Sequence, residues 1–107
     1  MNELIAMFKA LGDESRLRLF NVLIEVRTAT VSDLEKILSI SQTNVSRHLV
    51  VLKNAGLIES KRQGNYVVNK LSQNAPVDVV GFVKKKSNEL LELKADVNKA
   101  REYFNLM

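Results

Sequence analysis

Two short amphipathic stretches, separated by only a three-residue turn, constrain this chain more than any other feature in it. The first sets Val31, Leu34, Ile37 and Leu38 on one face of a helix. The second, SQTNVSRHLVVLKNAGL from Ser41 to Leu57, brings Leu49 and Leu52 within about 40° of Val45 when residues advance by ~100° each. Ser39-Ile40-Ser41 lies between them. Capping chemistry marks the ends. Thr30 with Asp33, or Ser32 with Glu35, forms a capping box before the first helix; Ser41 caps the second and Gly56 ends it. Helices joined this tightly must cross and bury their stripes in one core, which defines a helix-turn-helix.

The flanking sequence supplies the rest of that core. Leu4, Phe8 and Leu11, with Ile5 beside them, follow helical spacing over Glu3 to Leu11, and Gly12 stops the run. Asp13 caps the next helix, expected over residues 14–27 and apolar on most sides through Leu17, Leu19, Phe20, Val22, Leu23, Ile24 and Val26. Such a helix is central and buried. Thr28 to Thr30 is β-branched and reads as one short extended segment. From Leu57 the period changes to about two: LIESKRQ and YVVNKL are strands, and Gly64-Asn65 is the hairpin turn between them. Ser72 to Pro76 is a linker, and residues 77–106 read as one long helix.

The second helix of the pair raises the question of what its polar side faces. Thr43, Arg47, Val50 and Asn54 point away from the apolar stripe, while Gln42, Asn44 and Ser46 lie on its sides. In an isolated helix this would be a solvated face. Here it is the second helix of a tight pair and is followed by a basic hairpin containing Lys61, Arg62, Gly64 and Asn65. Hydroxyls, amides and a guanidinium are the groups that read base edges in a major groove, with Arg suited to guanine and Gln or Asn to adenine. Arg16, Ser41, Lys53, Lys61 and Arg62, with the backbone at Gly64 and Asn65, are placed to meet phosphate.

The run Ser41-Gln42, Val45-Ser46-Arg47-His48-Leu49, Leu52 and Ala55-Gly56-Leu57, together with Asp13, Ser15, Arg16, Leu17 and Arg18, resembles the ArsR/SmtB-type winged helix-turn-helix regulators over about residues 11–71. The resemblance implies a homodimeric repressor binding an inverted-repeat operator, with the helix from Gln42 in the major groove. It implies DNA contacts from Gln42, Thr43, Ser46, Arg47 and His48, and a dimer interface built from the first and last helices. His48 also sits at the border of the apolar stripe, where packing is the plainer role.

Many such regulators sense metals through paired cysteines on the helix that here begins near Val31, or through Asp, His and Glu on the last helix. This chain contains no cysteine, and its one histidine is His48. Thiolate sites and disulfides are therefore excluded, and Asp78, Glu89, Glu92, Asp96 and Glu102 read as a solvated face without imidazole to complete a zinc or nickel site. No metal or cofactor is expected, and the inducer is unknown.

Val79, Val83, Lys86, Leu90, Leu93, Val97, Ala100, Phe104 and Met107 alternate four and three apart, a heptad seam interrupted by Lys86. A continuous helix of this length would run roughly 45 Å and overhang a small domain. The expected dimer interface comprises Leu4, Ile5, Phe8, Val83, Leu90, Leu93, Val97, Ala100 and Phe104.

Composition agrees without deciding. The net charge is +4, with +3 of it in residues 1–72, so any electrostatic footprint arises from local placement rather than a basic tail. No apolar run reaches membrane-spanning length and no signal peptide is read, so the cytoplasm is the expected location. A serine, acid and histidine cluster is not evident, which leaves enzyme chemistry unsupported. The expectation is a mainly α fold with a small β-hairpin: one winged helix-turn-helix domain over residues 1–107, with a dimer helix at 1–12, the DNA-binding core at 13–72 and a long dimerisation helix at 77–107. Rival readings are a winged-helix protein-interaction module and a carboxylate-based metal sensor.

Overall fold

The computed structural model describes residues 1–106. Met107, the last residue of the expected seam, lies outside them. The order is α1 (Asn2–Leu11), α2 (Glu14–Glu25), α3 (Val31–Leu38), α4 (Gln42–Asn54), β1 (Ile58–Gln63), β2 (Tyr66–Leu71), α5 (Val77–Glu89) and α6 (Leu91–Tyr103).

Local chemistry sets these boundaries. Asp13 accepts the Arg16 backbone N–H at 3.0 Å and starts α2. Of the two possible capping boxes before α3, the one that forms is Thr30 with Asp33: each side chain accepts the other residue's backbone N–H. Ser39, in the left-handed region at φ 56°, turns the chain from α3 toward α4, and Ser41 caps α4. At the other end of α4, the Gly56 N–H donates to Lys53 O and the Leu57 N–H to Leu52 O. That pair of bonds is a Schellman motif, and it places the residue between the two donors' helix and strand at positive φ; Gly56 sits at 78°. Gly64 takes φ 63° while Asn65 does not go positive, as a two-residue type II′ hairpin requires.

The core is built on α2. Leu19, Phe20, Val22 and Leu23 are fully buried and meet Leu34, Val45, Leu52 and Leu57 from the surrounding elements. Helix α2 ends at Glu25, two residues short of the expected Arg27. The segment expected to be extended near Thr28 contributes a single bridge, Ala29 with Asn69, rather than a strand. Buried Asn69 secures it: its amide donates to Ala29 O at 3.1 Å while its carbonyl accepts from Ser60 Oγ at 2.9 Å.

The main departure from expectation lies at the C-terminus. In place of one long helix there are two of 13 residues each, each about 20 Å long. The break is confined to Leu90, which is extended at φ −96° and ψ 121°. Its N–H still bonds Lys86 O, and its carbonyl accepts from Lys94 N, so the break is a sharp bend rather than a loop. The bend turns α6 back onto α2. There Asp96 takes a two-pronged bond from Arg18, Nε to Oδ2 at 2.8 Å and Nη2 to Oδ1 at 3.1 Å, and Asn21 donates to Leu93 O at 3.1 Å. Leu93 and Ala100 are buried, as is Val83 on α5. The seam predicted from the heptad spacing is thus divided. Val83, Leu93 and Ala100 lie in the protomer's own core, Val97 and Phe104 are half-buried, and Leu90 is exposed. Burial against α2 competes with continuation of an overhanging helix, and here it wins.

Asp96 is buried, so removing its partner strands a charge. Arg18→Met should destabilise the fold by about 3–5 kcal/mol, and the double change Arg18→Met with Asp96→Leu should recover most of it. Urea unfolding followed by circular dichroism checks both; equal stability of parent and Arg18→Met would show that the pair does not hold α6.

Candidate nucleic-acid interface

Helix α4 separates its two sides cleanly. Val45, Leu49 and Leu52 are buried, whereas Gln42, Thr43, Asn44, Ser46 and Arg47 are exposed along its first turns. The exposed groups are partly ordered by their neighbours. Asn44 Oδ1 accepts from Arg47 Nη2 at 2.9 Å, which holds the guanidinium along the helix instead of leaving it free. Gln42 Nε2 donates to Glu35 Oε1 at 3.0 Å and clamps the start of α4 to α3. Ser41 is engaged as the N-cap through Asn44 N at 3.3 Å.

The hairpin forms a second exposed surface. Lys61, Arg62, Gln63, Gly64, Asn65, Tyr66 and Val67 are all exposed, with Arg62 paired opposite Val67 and Lys61 opposite Val68. Adjacent strand residues point to opposite faces. Lys61 and Arg62 are nonetheless both solvated, because this end of the hairpin extends past the core. At its base, Lys70 lies 3.4 Å from Glu59. Lys53 is exposed in the last turn of α4.

Arg16 is placed differently from expectation, and His48 takes the packed position that the border of the apolar stripe implies. Arg16 is half-buried and engaged within the protomer: Nε donates to Ala10 O at 2.7 Å and Nη2 to Lys9 O at 3.3 Å, while Nη1 lies 3.4 Å from His48 Nδ1. These bonds satisfy the C-terminal carbonyls of α1. A guanidinium can only donate, so this contact is a hydrogen bond in the tautomer whose Nδ1 is free to accept. His48 is correspondingly half-buried. It packs beside Arg16 at the α1–α4 junction rather than on the outer face with Arg47. The Arg16 backbone N–H also holds the Asp13 carboxyl below its ordinary pKa, by favouring the charged form.

Sequence reasoning did not anticipate the order in this surface. The Asn44–Arg47 bond has a readable signal, the i, i+3 spacing on one helix. The Arg16–His48 contact spans 32 residues and has no local signal. Tyr66 and Val67, 68% and 50% exposed beside the basic turn, were also not singled out. Among the described residues, no three His, Cys, Asp or Glu side chains are grouped so as to hold a metal ion, and no helix is long and apolar enough to cross a membrane.

A helix pair packed on a central helix, its second member exposing a polar face beside a basic hairpin, defines a winged helix-turn-helix protein. Residues 13–60 match the family model of the bacterial regulatory proteins of the arsR family, and the chain belongs to that family. It is similar to the arsenical resistance operon repressor of Escherichia coli (strain K12), 40% identical over 72 residues that cover 67% of this chain and 62% of that protein. It is also similar to the uncharacterized HTH-type transcriptional regulator YuzN of Bacillus subtilis (strain 168), 41% identical over 69 residues covering 59% of this chain and 75% of that one. The chain therefore spans less than two thirds of the E. coli relative's length. The fold resembles the solution structure of the homodimeric winged helix-turn-helix DNA-binding domain of Mb0332 from Mycobacterium bovis, with a TM-score of 0.72, 23% identity and coverage of 85% of this chain and 83% of that one.

Lys61 and Arg62 precede the hairpin turn and should meet phosphate rather than bases. Replacing both by Ala should weaken binding to every DNA sequence alike and flatten the slope of log affinity against log salt by about two. Fluorescence anisotropy over a salt series reads this. A loss confined to one sequence, with nonspecific binding intact, would show that the hairpin reads bases.

Proposed function

We propose that the protein is a homodimeric transcriptional repressor that binds an inverted-repeat operator in double-stranded DNA. The observation that carries this reading is the α4 surface: Gln42, Thr43, Ser46 and Arg47 exposed opposite a fully buried stripe, beside a basic hairpin. Phosphate contacts from Lys53, Lys61, Arg62 and the Gly64-Asn65 backbone position the protein, and the α4 face specifies the sequence. Arg16 contributes indirectly, by fixing α4 against α1 through His48. A two-fold dimer sets two α4 helices into successive major grooves, about 34 Å apart.

Exposed apolar side chains concentrate where α1 meets α5: Leu4, Ile5 and Phe8 on α1, Phe82 on α5, and Leu90 at the bend. Between them runs a mainly apolar groove of about 450 Å³ lined by Phe8, Leu11, Leu17, Val79, Phe82 and Val83, with Asp78 its one charged residue. The interface is accordingly α1 with α5 and the bend. Val83, Leu93 and Ala100, expected at the seam, support it from beneath.

Two measurements test the reading. In anisotropy with the DNA upstream of the protein's own gene, Arg47→Ala should cost about 1–3 kcal/mol of specific binding with little change in fold stability; unchanged affinity would remove Arg47 from the reading set. Phe82 is 62% exposed and Leu93 only 5%. Phe82→Glu should therefore give a folded monomer with weakened operator binding, whereas Leu93→Glu should unfold the protomer. Sedimentation and circular dichroism separate the two outcomes, and a Phe82→Glu variant that stays dimeric at micromolar concentration would place the interface elsewhere.

A further inference from the structure

The face of α5 opposite Phe82 and Val79 borders a different kind of space. A cavity of about 250 Å³ lies between α2, α5 and α6, smaller than the ~300–1,000 Å³ that holds a drug-sized ligand. Beside apolar Ile24 and Val97 its lining carries Asn21 and Glu25 from α2, Lys84 and Ser87 from α5, and Lys94 and Arg101 from α6. Glu25 accepts from Arg101 Nε at 3.0 Å, so that pair is neutral. Lys84 and Lys94 take part in no ion pair among the described residues, which leaves the cavity with two uncompensated positive charges.

Two of the lining side chains are buried without full use of their hydrogen-bonding capacity. Ser87 is 6% exposed and its hydroxyl makes no hydrogen bond within the described residues. Asn21 is 2% exposed; its Nδ2 donates to Leu93 O, and its carbonyl oxygen has no partner among them. Among the described residues no side-chain polar atom fully shut off from solvent lacks a partner, so these two groups keep access to solvent. A buried hydroxyl beside two free ammonium groups and a guanidinium matches an oxyanion, which accepts several charge-assisted hydrogen bonds at once.

We propose that this cavity is the effector site of the regulator and takes a small oxyanion, a phosphate or carboxylate group on a compact molecule. An anion here competes with Glu25 for Arg101 and so acts on the seating of α6. Two residues further along, the Tyr103 hydroxyl donates to Asp33 Oδ1 at 2.7 Å, and Asp33 caps α3. Glu35 of α3 in turn accepts from Gln42 of α4. A shift of α6 is thereby conveyed to the helix pair that reads DNA. The regulatory half of this proposal rests on the DNA-binding reading above; the binding half does not.

The test uses the full chain, amide NMR, and two probes added separately, inorganic phosphate and malate, with chloride at matched ionic strength as control. At least one probe should give saturable shifts at Asn21, Ser87 and Lys94 in the millimolar range. Lys84→Gln with Lys94→Gln, both at exposed positions, should weaken that binding about tenfold or more. The same probe should change operator affinity of the parent roughly tenfold and leave the double variant unaffected. Response to phosphate alone assigns a phosphate ligand, and response to malate alone a carboxylate. Absence of saturable shifts with both probes, or equal shifts in the double variant, overturns the site. Shifts without any change in operator affinity overturn its effector role. A parent that binds no operator even without probe, yet shows the shifts, overturns the DNA-binding reading and leaves the oxyanion site standing.

Discussion

Helix α2 is buried on nearly every side, and the rest of the structure follows from that constraint. Every other helix packs on it, and so does strand β2. A helix with Leu19, Phe20, Val22 and Leu23 all removed from water cannot exist alone, because its apolar surface is favourable only when covered. Its few polar side chains then decide which elements cover it and in what register. Asn21 and Arg18 sit on the side that α6 covers, and each finds its partner there, the Leu93 carbonyl and the Asp96 carboxylate. An apolar residue in place of Asp96 would leave the half-buried Arg18 guanidinium without its carboxylate, whereas the Asn21 bond is made to backbone and needs only that α6 lie in this register. The pairing therefore specifies the bend at Leu90 as much as it stabilises it.

The same logic explains how the DNA-facing helix is held. Its buried stripe fixes its rotation about its own axis, and two polar contacts hold its start and its middle. Gln42 ties the N-terminal end to α3 through Glu35, and His48 ties the middle to α1 through Arg16. Arg16 is the less obvious of the two. Its guanidinium completes the carbonyl end of α1 and touches α4 with its remaining nitrogen. One side chain thus joins the helix proposed to meet the other subunit to the helix proposed to meet DNA.

What was legible in the sequence was whatever local chemistry decides. The helix pair, the Ser41 cap, the Gly56 stop and the Gly64-Asn65 turn depend on residues close together in the chain, and they form where the spacing predicts. The C-terminal bend was not legible. A heptad spacing states which residues share a helix face if the helix is continuous; it says nothing of whether a distant Arg18 will capture Asp96 across 78 residues. For the same reason Arg16 reads as a free surface cation from sequence. Only the fold brings Lys9, Ala10 and His48 around it.

The bend also settles how the surface of α5 is divided. A straight 30-residue helix would offer its whole length to a partner and leave α2 and α3 uncovered. With α6 folded back, burial that a coiled coil would supply from a second chain comes from the protomer itself: Leu93 and Ala100 are inside, and Tyr103 reaches Asp33 on α3. Helix α5 then has two unlike sides. One carries Phe82 and Val79 beside α1 and is apolar; the other carries Lys84 and Ser87 beside α6 and is polar. Apolar surface left exposed favours another apolar surface, and a polar cavity bearing uncompensated charge favours an ion of opposite sign. The two sides are about 10 Å apart, the diameter of one helix, so a subunit contact and a small-ion contact can act on the same element without competing for the same atoms.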